Sequence, residues 1–395
     1  MSAASGDELA LLRDSVREAL RDLSPPAEVR RQMDTGRGWD PKTWRRLCGE
    51  LGLAGLVVPE EHGGAGFSYV ELGAVFEEAG RALLCAPLLS TTGLAIPLLL
   101  CLDDPPARRE FLPDLCSGSL VATVALTDPD GRLLPDGAVA EASARGEGHV
   151  LDGAAGFVVD GASADLLLVP ARLDGGETAV FAVRAGAPGL TVTPLVTLDP
   201  TRKQAAVAFD GASARRLGEA DAAGALRRAL DVGRALLACE QAGGAARCLD
   251  AVVEHAGSRV QFGRPIGSFQ AVKQRAAEML IRVESARSAA MAAAQAAAED
   301  PLAGSGRGSG DLRDLPGLAV AAAVAGSYCS EAYAFVAAET IQLHGGIGFT
   351  WEHDAHLYYK RAWTSGELLG RPADHLESLA RHLEHSHPAE RTDSP

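Results

Sequence analysis

A change of period in the middle of the chain sets what it can fold into. Up to about residue 118, and again after Asp221, apolar residues recur at helical spacing. Between Ser119 and Ala214 the pattern breaks into short β-prone runs: Leu120–Thr127, His149–Leu151, Gly156–Val159, Leu166–Pro170, Thr178–Val183 and Gln204–Phe209. Gly, Asp and Pro turns divide them at short intervals, the signature of an antiparallel barrel or sandwich. The sequence therefore predicts an α+β multidomain chain: an N-terminal helical domain over 1–118, a middle antiparallel β domain over 119–214 and a C-terminal helical domain over 215–395.

Within the first domain, helices are expected over Asp7–Leu23, Pro41–Leu51, Tyr69–Ala82, Thr91–Cys101 and Pro106–Ser117. Ser24-Pro25-Pro26 ends the first, and Pro41 takes the favoured opening position of the second. Leu51–Gly66 is an apolar loop dense in Gly and Pro. The last domain is Ala-rich through Glu299, which favours helix and close helix–helix approach. Asp300–Pro316 reads as a flexible loop, Leu318–Leu343, Ala355–Gly370 and Pro372–His385 as helices, and the tail from Ser386 as frayed.

Charge and cysteine usage narrow the setting. A formal net charge of −15 argues against nucleic acid as a partner. Seven scattered cysteines, an odd number without metal-ligand spacing, read as reduced buried thiols of a cytoplasmic protein. The polar, acidic N-terminus has no signal-peptide pattern. The longest apolar run, near Leu94–Leu102, contains Pro97 and is too short to cross a membrane, so no membrane partner is expected. No metal site is expected either: His353 and His356 beside Glu352 and Asp354 read as a solvated helix start.

Gln342-Leu343-His344-Gly345-Gly346-Ile347-Gly348-Phe349 stops a long apolar helix with three glycines in four residues. Glycine lets backbone amides approach a ligand and permits positive φ, which suits an anion such as a phosphate; a plain helix cap and turn fits the same residues. The chain has no P-loop, and its Gly cluster is not a GxGxxG after a strand, so a Rossmann dinucleotide site is unsupported.

Two motifs carry a resemblance. Arg259-Val260-Gln261-Phe262-Gly263-Arg264-Pro265-Ile266-Gly267-Ser268-Phe269-Gln270 is similar to R-x-x-F-G-x-x-I-x-x-F-Q, and Gln342–Phe349 to Q-x-x-G-G-x-G-F, with two residues between Gln342 and the Gly pair as the pattern requires. Leu51–Gly66, Thr127-Asp128-Pro129, Phe157-Val158-Val159-Asp160-Gly161 and Leu198-Asp199-Pro200-Thr201-Arg202 agree in order and spacing. Together with the α, β, α order, these make the chain resemble the acyl-CoA dehydrogenase family over essentially its whole length. The resemblance implies that fold, with a C-terminal domain like a four-helix bundle. It implies FAD between the β domain and the C-terminal helices, an acyl-CoA or other acyl thioester as substrate, a homodimer-based tetramer and electron-transfer flavoprotein as a candidate acceptor. Arg259, Phe262 and Gln270 match positions that grip the adenine and pyrophosphate part of FAD, and Gln342, Gly345 and Gly346 match the contact made by a partner subunit. Thr127 and Val159 match positions facing the flavin ring, where Val159 replaces a hydroxyl; a β-core role stays open for both. Arg234 matches a substrate-contacting arginine.

The family chemistry needs a carboxylate to take the α-proton of the thioester. Its two family positions fall on Leu369, followed by Gly370-Arg371 in place of a Gly-Thr pair, and on Gly233, just before Arg234. Neither is an acid. Asp231, Glu240 and Glu367 are the nearby candidates, although Glu367, two residues from the expected place, points elsewhere on a helix. Asp130-Gly131-Arg132 replaces a longer Ser-bearing Gly-rich loop, and Lys360-Arg361 replaces Arg-Asp. Four readings follow: one subunit of a mixed α2β2 tetramer with a paralogous subunit that carries the base; a self-sufficient dehydrogenase with a displaced base; an oxygen-dependent flavin monooxygenase on the same fold; or a non-catalytic assembly subunit.

Overall fold

Good local stop and start signals define the N-terminal helices of the computed structural model, which describes residues 6–134, 137–146, 148–300 and 316–386. Of the loop expected over Asp300–Pro316, residues 301–315 lie outside the described residues, and Pro316 opens a helix; of the tail expected from Ser386, residues from 387 lie outside them, and Ser386 closes a helix. Helix α1 spans Gly6–Leu23. Pro25-Pro26 ends it but also opens a further helix, α2 (Pro26–Met33), because proline at the first position lacks only an N–H that would have no partner. Asp40 caps α3 (Pro41–Gly49) through the Thr43 amide at 2.9 Å. Ser68 and Glu71 form a capping box on α4 (Tyr69–Arg81). After Pro87 the chain makes a wide π-helical stretch, Leu88–Ala95, that runs into α5 (Ile96–Cys101); α6 covers Pro105–Ser117.

The middle strands are β1 (Ala122–Val124), β2 (Ala140–Arg145), β3 (Gly148–Val159), β4 (Leu166–Leu173), β5 (Thr178–Arg184), β6 (Leu190–Pro194) and β7 (Gln204–Leu217). β4, β2, β3, β7 and β5 pair in that order, and β5 pairs back to β4, so five strands close a ring. β1 joins β4, and β6 joins β7. The sheet is chiefly antiparallel, with two parallel pairings, β1 with β4 and β2 with β4. The runs His149–Leu151 and Gly156–Val159 are one strand, β3, with register shifts at Leu151/Gly153 and Ala155/Val158. Leu151, Val169, Phe181, Val183, Val207 and Phe209 fill the barrel.

Helix α7 (Ala223–Ser258) leads into a small hairpin of β8 (Val260–Gln261) and β9 (Arg264–Pro265). Phe262 and Gly263 turn it at φ 53° and 77°, both in the left-handed region that a two-residue hairpin turn requires. Then come α8 (Gln270–Glu299), α9 (Pro316–His344), a 3-10 turn (Gly345–Phe349), α10 (Ala355–Glu367) and α11 (Pro372–Ser386). Residues Gly317–Phe349 are long and apolar enough to cross a membrane by length and composition, unlike the Leu94–Leu102 run. Here that length serves packing against α7, α8, α10 and α11. Two glycines let α4 and α7 touch backbone to backbone: a Cβ on Gly80 would overlap the Glu240 carbonyl, and one on Gly243 the Glu77 carbonyl. All seven cysteines are free and buried.

Candidate functional site

Glu240, one of the candidate bases, sits on α7 in a buried network of charges. Arg202 Nη2 lies 2.5 Å from its Oε2, and Arg361 Nη1 2.8 Å from its Oε1. Arg361 Nε also donates to Asp199 Oδ2 at 2.7 Å, and its Nη2 to Thr201 Oγ1 at 2.6 Å. Every one of these groups is buried. Burial opposes a charge on Glu240, but the Arg202 and Arg361 guanidiniums outweigh it and hold the carboxylate below its usual range. A carboxylate so held is a poor proton acceptor, and its oxygens are occupied. Its role is to join the chain before β7 to α7 and α10, with Arg361 in the middle.

The two positions where a base is expected converge on one point. A Cβ on Gly233 would lie 2.5 Å from Leu94 Cδ2 and 3.3 Å from Leu369 Cδ1. Leu94 comes from the π-helical stretch, Gly233 from α7 and Leu369 from the turn after α10. The place is apolar and packed, and Leu369 is held there with φ 57°. Arg234, expected to touch substrate, is engaged within the chain: its Nε donates to the Leu369 carbonyl at 2.8 Å and its Nη1 to Asp231 Oδ1 at 2.8 Å. That contact occupies Asp231, another candidate base, as the counter-charge of Arg234. Glu367, the last residue of α10, is exposed while Leu369 is buried. The imidazole of His375 backs the turn, where a Cβ on Gly370 would lie 3.0 Å from its Cε1. Burial and then the Arg234 charge push His375 down to about 4, so it stays neutral at neutral pH.

On the barrel, Thr127 donates its hydroxyl to the Gly156 carbonyl. Val159 is buried, and its carbonyl accepts from Thr123 Oγ1 at 2.6 Å. Both residues thus have roles along the seam between β1 and β3. The next residue, Asp160, is buried and accepts from Ser90 Oγ at 2.6 Å; burial pushes its carboxyl up to about 6. The Asp130-Gly131-Arg132 segment is a tight turn in which Asp128 Oδ1 accepts from the Asp130 and Arg132 amides at 3.0 and 2.8 Å.

A second group of expected residues is brought together at the far end of α7. Arg259, Phe262, Gln270, Gln342, Gly345 and Gly346 are all exposed or half-exposed. Among the described residues Arg259 pairs with no carboxylate. Nothing stands within 4 Å of a Cβ placed on Gly345 or Gly346. An unpaired guanidinium and uncovered glycine backbone at one end of α7 suit a phosphate group. Around it stand bare aromatics: Phe262 is 92% exposed, Phe349 86% and Trp351 65%. The His255 and His344 rings, 4.4 Å apart, join the hairpin end of α7 to the glycine turn after α9. His353, expected on a solvated helix start, is half-buried and packs against His344, with ring centroids 4.3 Å apart and the planes tilted by 47°.

The two groups stand at opposite ends of α7. Gly233 and His255 are 22 residues apart on the same helix, which at 1.5 Å per residue is about 33 Å. Sequence reasoning missed three things: Leu94 as the residue filling the base position, Arg361 as a hub, and the histidine stack. Only Arg361 left a signal, as the departure at Lys360-Arg361.

Two family models match most of the chain. The family described as acyl-CoA dehydrogenase, N-terminal domain, matches residues 6–119, and acyl-CoA dehydrogenase, C-terminal domain, matches residues 223–383. The chain is 36% identical to acyl-CoA dehydrogenase IpdE2 of Mycolicibacterium smegmatis over 373 residues, 94% of this chain and 98% of that protein. It superposes on a chain of the ChsE4-ChsE5 complex from Mycobacterium tuberculosis with TM-score 0.84 and 30% identity, covering 100% of each. A chain of a Tcur3481-Tcur3483 steroid ACAD variant gives TM-score 0.83 and 30% identity, covering 97% of this chain and 99% of that one.

Proposed function

The chain belongs to the acyl-CoA dehydrogenase family, a family of flavin-dependent oxidoreductases, and from that premise we propose that it is the cofactor-gripping partner in a mixed assembly whose α-proton base stands on a paralogous subunit. One observation carries the reading: Gly233, Leu369 and Leu94 fill with hydrocarbon the point where the family needs a carboxylate. No other candidate acid replaces it, because Asp231 neutralises Arg234, Glu240 is clamped by two arginines, and Glu367 faces solvent.

The other half of the machinery is present. Arg259 would pair with the diphosphate of FAD, beside Gly345 and Gly346, with Phe262, Gln270 and Gln342 around them. When bound, the FAD of such an assembly supplies the acceptor for the hydride that leaves the β-carbon of the acyl thioester. The roughly 33 Å along α7 between the two groups supports a division of labour between chains. This chain's far end of α7 completes a site whose catalytic half belongs to its partner. Phe262, Phe349 and Trp351 are apolar surface that a second subunit would cover. Relatives described as a two-protein complex and as a steroid acyl-CoA dehydrogenase support a paralogous partner and a bulky, fused-ring acyl-CoA as the substrate class.

Co-expression with a paralogous family member tests this. Turnover and bound flavin are expected in the co-purified complex and not in this chain alone, and Arg259→Ala should strip flavin from the complex without unfolding it. Full turnover by this chain alone would sink the proposal.

A further inference from the structure

Three imidazoles stand in a row where the α7 hairpin meets the glycine turn. His255 lies four residues before Arg259, His344 directly precedes Gly345, and His353 follows the turn. Ring centroids are 4.4 Å apart for His255 and His344 and 4.3 Å apart for His344 and His353. Hydrogen bonds fix two of the rings. His344 Nδ1 donates to the Thr340 carbonyl at 2.7 Å, and His353 Nδ1 accepts from the Ala355 amide at 3.1 Å. A proton on that His353 nitrogen would break its bond to the start of α10.

The charges facing the stack are mostly cationic. Arg259, just after α7, bears on His255, and Arg247 of α7 bears on His353; His356 of α10 neighbours His353. The carboxylate among them, Asp354, is already held by Arg30 of α2 at 2.6 Å. An added proton therefore meets like charge and little free counter-charge.

We propose that the His255–His344–His353 stack is a proton-sensitive joint: uncharged, it holds the Arg259 hairpin against the Gly345 turn, and a proton forced onto it parts them. The joint belongs to the free chain; its control of cofactor grip rests on the paired-subunit reading above. Burial, followed by the neighbouring His344 and Arg259, keeps His255 uncharged to lower pH than usual, and burial followed by His344 does the same for His353. Since these folded values lie below the unfolded one, the joint is fully stabilising above the ordinary imidazole range, and that stability is lost as pH falls through it.

The test uses the full chain with 13C-labelled histidine Cε1, titrated by NMR from about pH 8 to 5, together with flavin release from the co-purified complex over the same range. His255→Phe keeps a ring in the stack and removes one titrating group. In the free chain His255 and His353 should titrate below ordinary imidazoles, and His353 should move up in His255→Phe. Flavin release from wild-type complex should rise on the order of tenfold per pH unit below about pH 6 for one coupled proton, and distinctly less in the variant. Ordinary titration of both histidines would overturn the joint. Low titration with the same acid release in wild type and variant would overturn its control of the cofactor. A complex that binds no flavin at any pH would instead overturn the paired reading, and the NMR titration would still decide the joint.

Discussion

Gly233→Ala probes whether the expected base position is filled. The added methyl would sit 2.5 Å from Leu94 Cδ2 and 3.3 Å from both Leu369 Cδ1 and the Gly93 carbonyl. Overpacking of this kind costs about 1–3 kcal/mol. Glycine to alanine inside a helix works the other way, by up to about 1 kcal/mol. Gly257 on the same helix has open space around its Cβ position, so Gly257→Ala serves as the control for helix propensity. Subtracting that gain, Gly233→Ala should be about 1–3 kcal/mol less stable than the control, read from urea unfolding followed by circular dichroism. Leu94→Ala alone should cost about 2–5 kcal/mol. The double variant should cost less than the sum by at least about 0.5 kcal/mol, because the two residues compete for one volume. If Gly233→Ala stabilises as Gly257→Ala does, or if the double variant is additive, the site has room and hydrocarbon does not close it.

Three further outcomes are expected. Arg361→Met leaves Asp199 and Glu240 short of a buried partner and should destabilise the chain by about 3–5 kcal/mol, measured by urea unfolding. Gly243→Ala and Gly80→Ala press a methyl against the backbone carbonyls of Glu77 and Glu240, which cannot rotate away as Leu94 can. Both should therefore reach or exceed the upper end of the overpacking range, about 3 kcal/mol. Asp160 has its carboxyl raised to about 6 from 3.8, so the folded chain holds that proton longer than the unfolded one. Its contribution is present below about pH 4 and is lost as pH rises to about 6; the difference in stability between wild type and Asp160→Asn should therefore change by about 3 kcal/mol across that window.

Period and punctuation made much of the fold legible. Ser68 with Glu71, Pro41, and the β-prone run through Thr178–Val183 are local signals that tertiary structure left intact. β2 was not legible, because Ala-Glu-Ala-Ser-Ala-Arg has helix-forming composition and takes the strand state by pairing with β3 and β4. α2 was hidden by reading Pro25-Pro26 only as a stop. Family spacing gave the absence of an acid at Gly233 and Leu369, but contact between residues 136 positions apart is a tertiary fact. Leu94 had no local mark at all. Likewise, Arg361 stood out as a changed residue, yet that it links Asp199 to Glu240, which Arg202 also holds, follows only from the docking of α10 on α7. That Arg259, Phe262 and Gln342 are left exposed at one end of α7, far from Gly233, is also a fact of the fold and not of the motifs.

Flavin stoichiometry in the complex with a paralogous subunit tests the central claim most directly. The account predicts one FAD for each pair of unlike chains, bound only when both are present and removed by Arg259→Ala in this chain. One FAD on every chain, or a full complement on this chain purified alone, would contradict it.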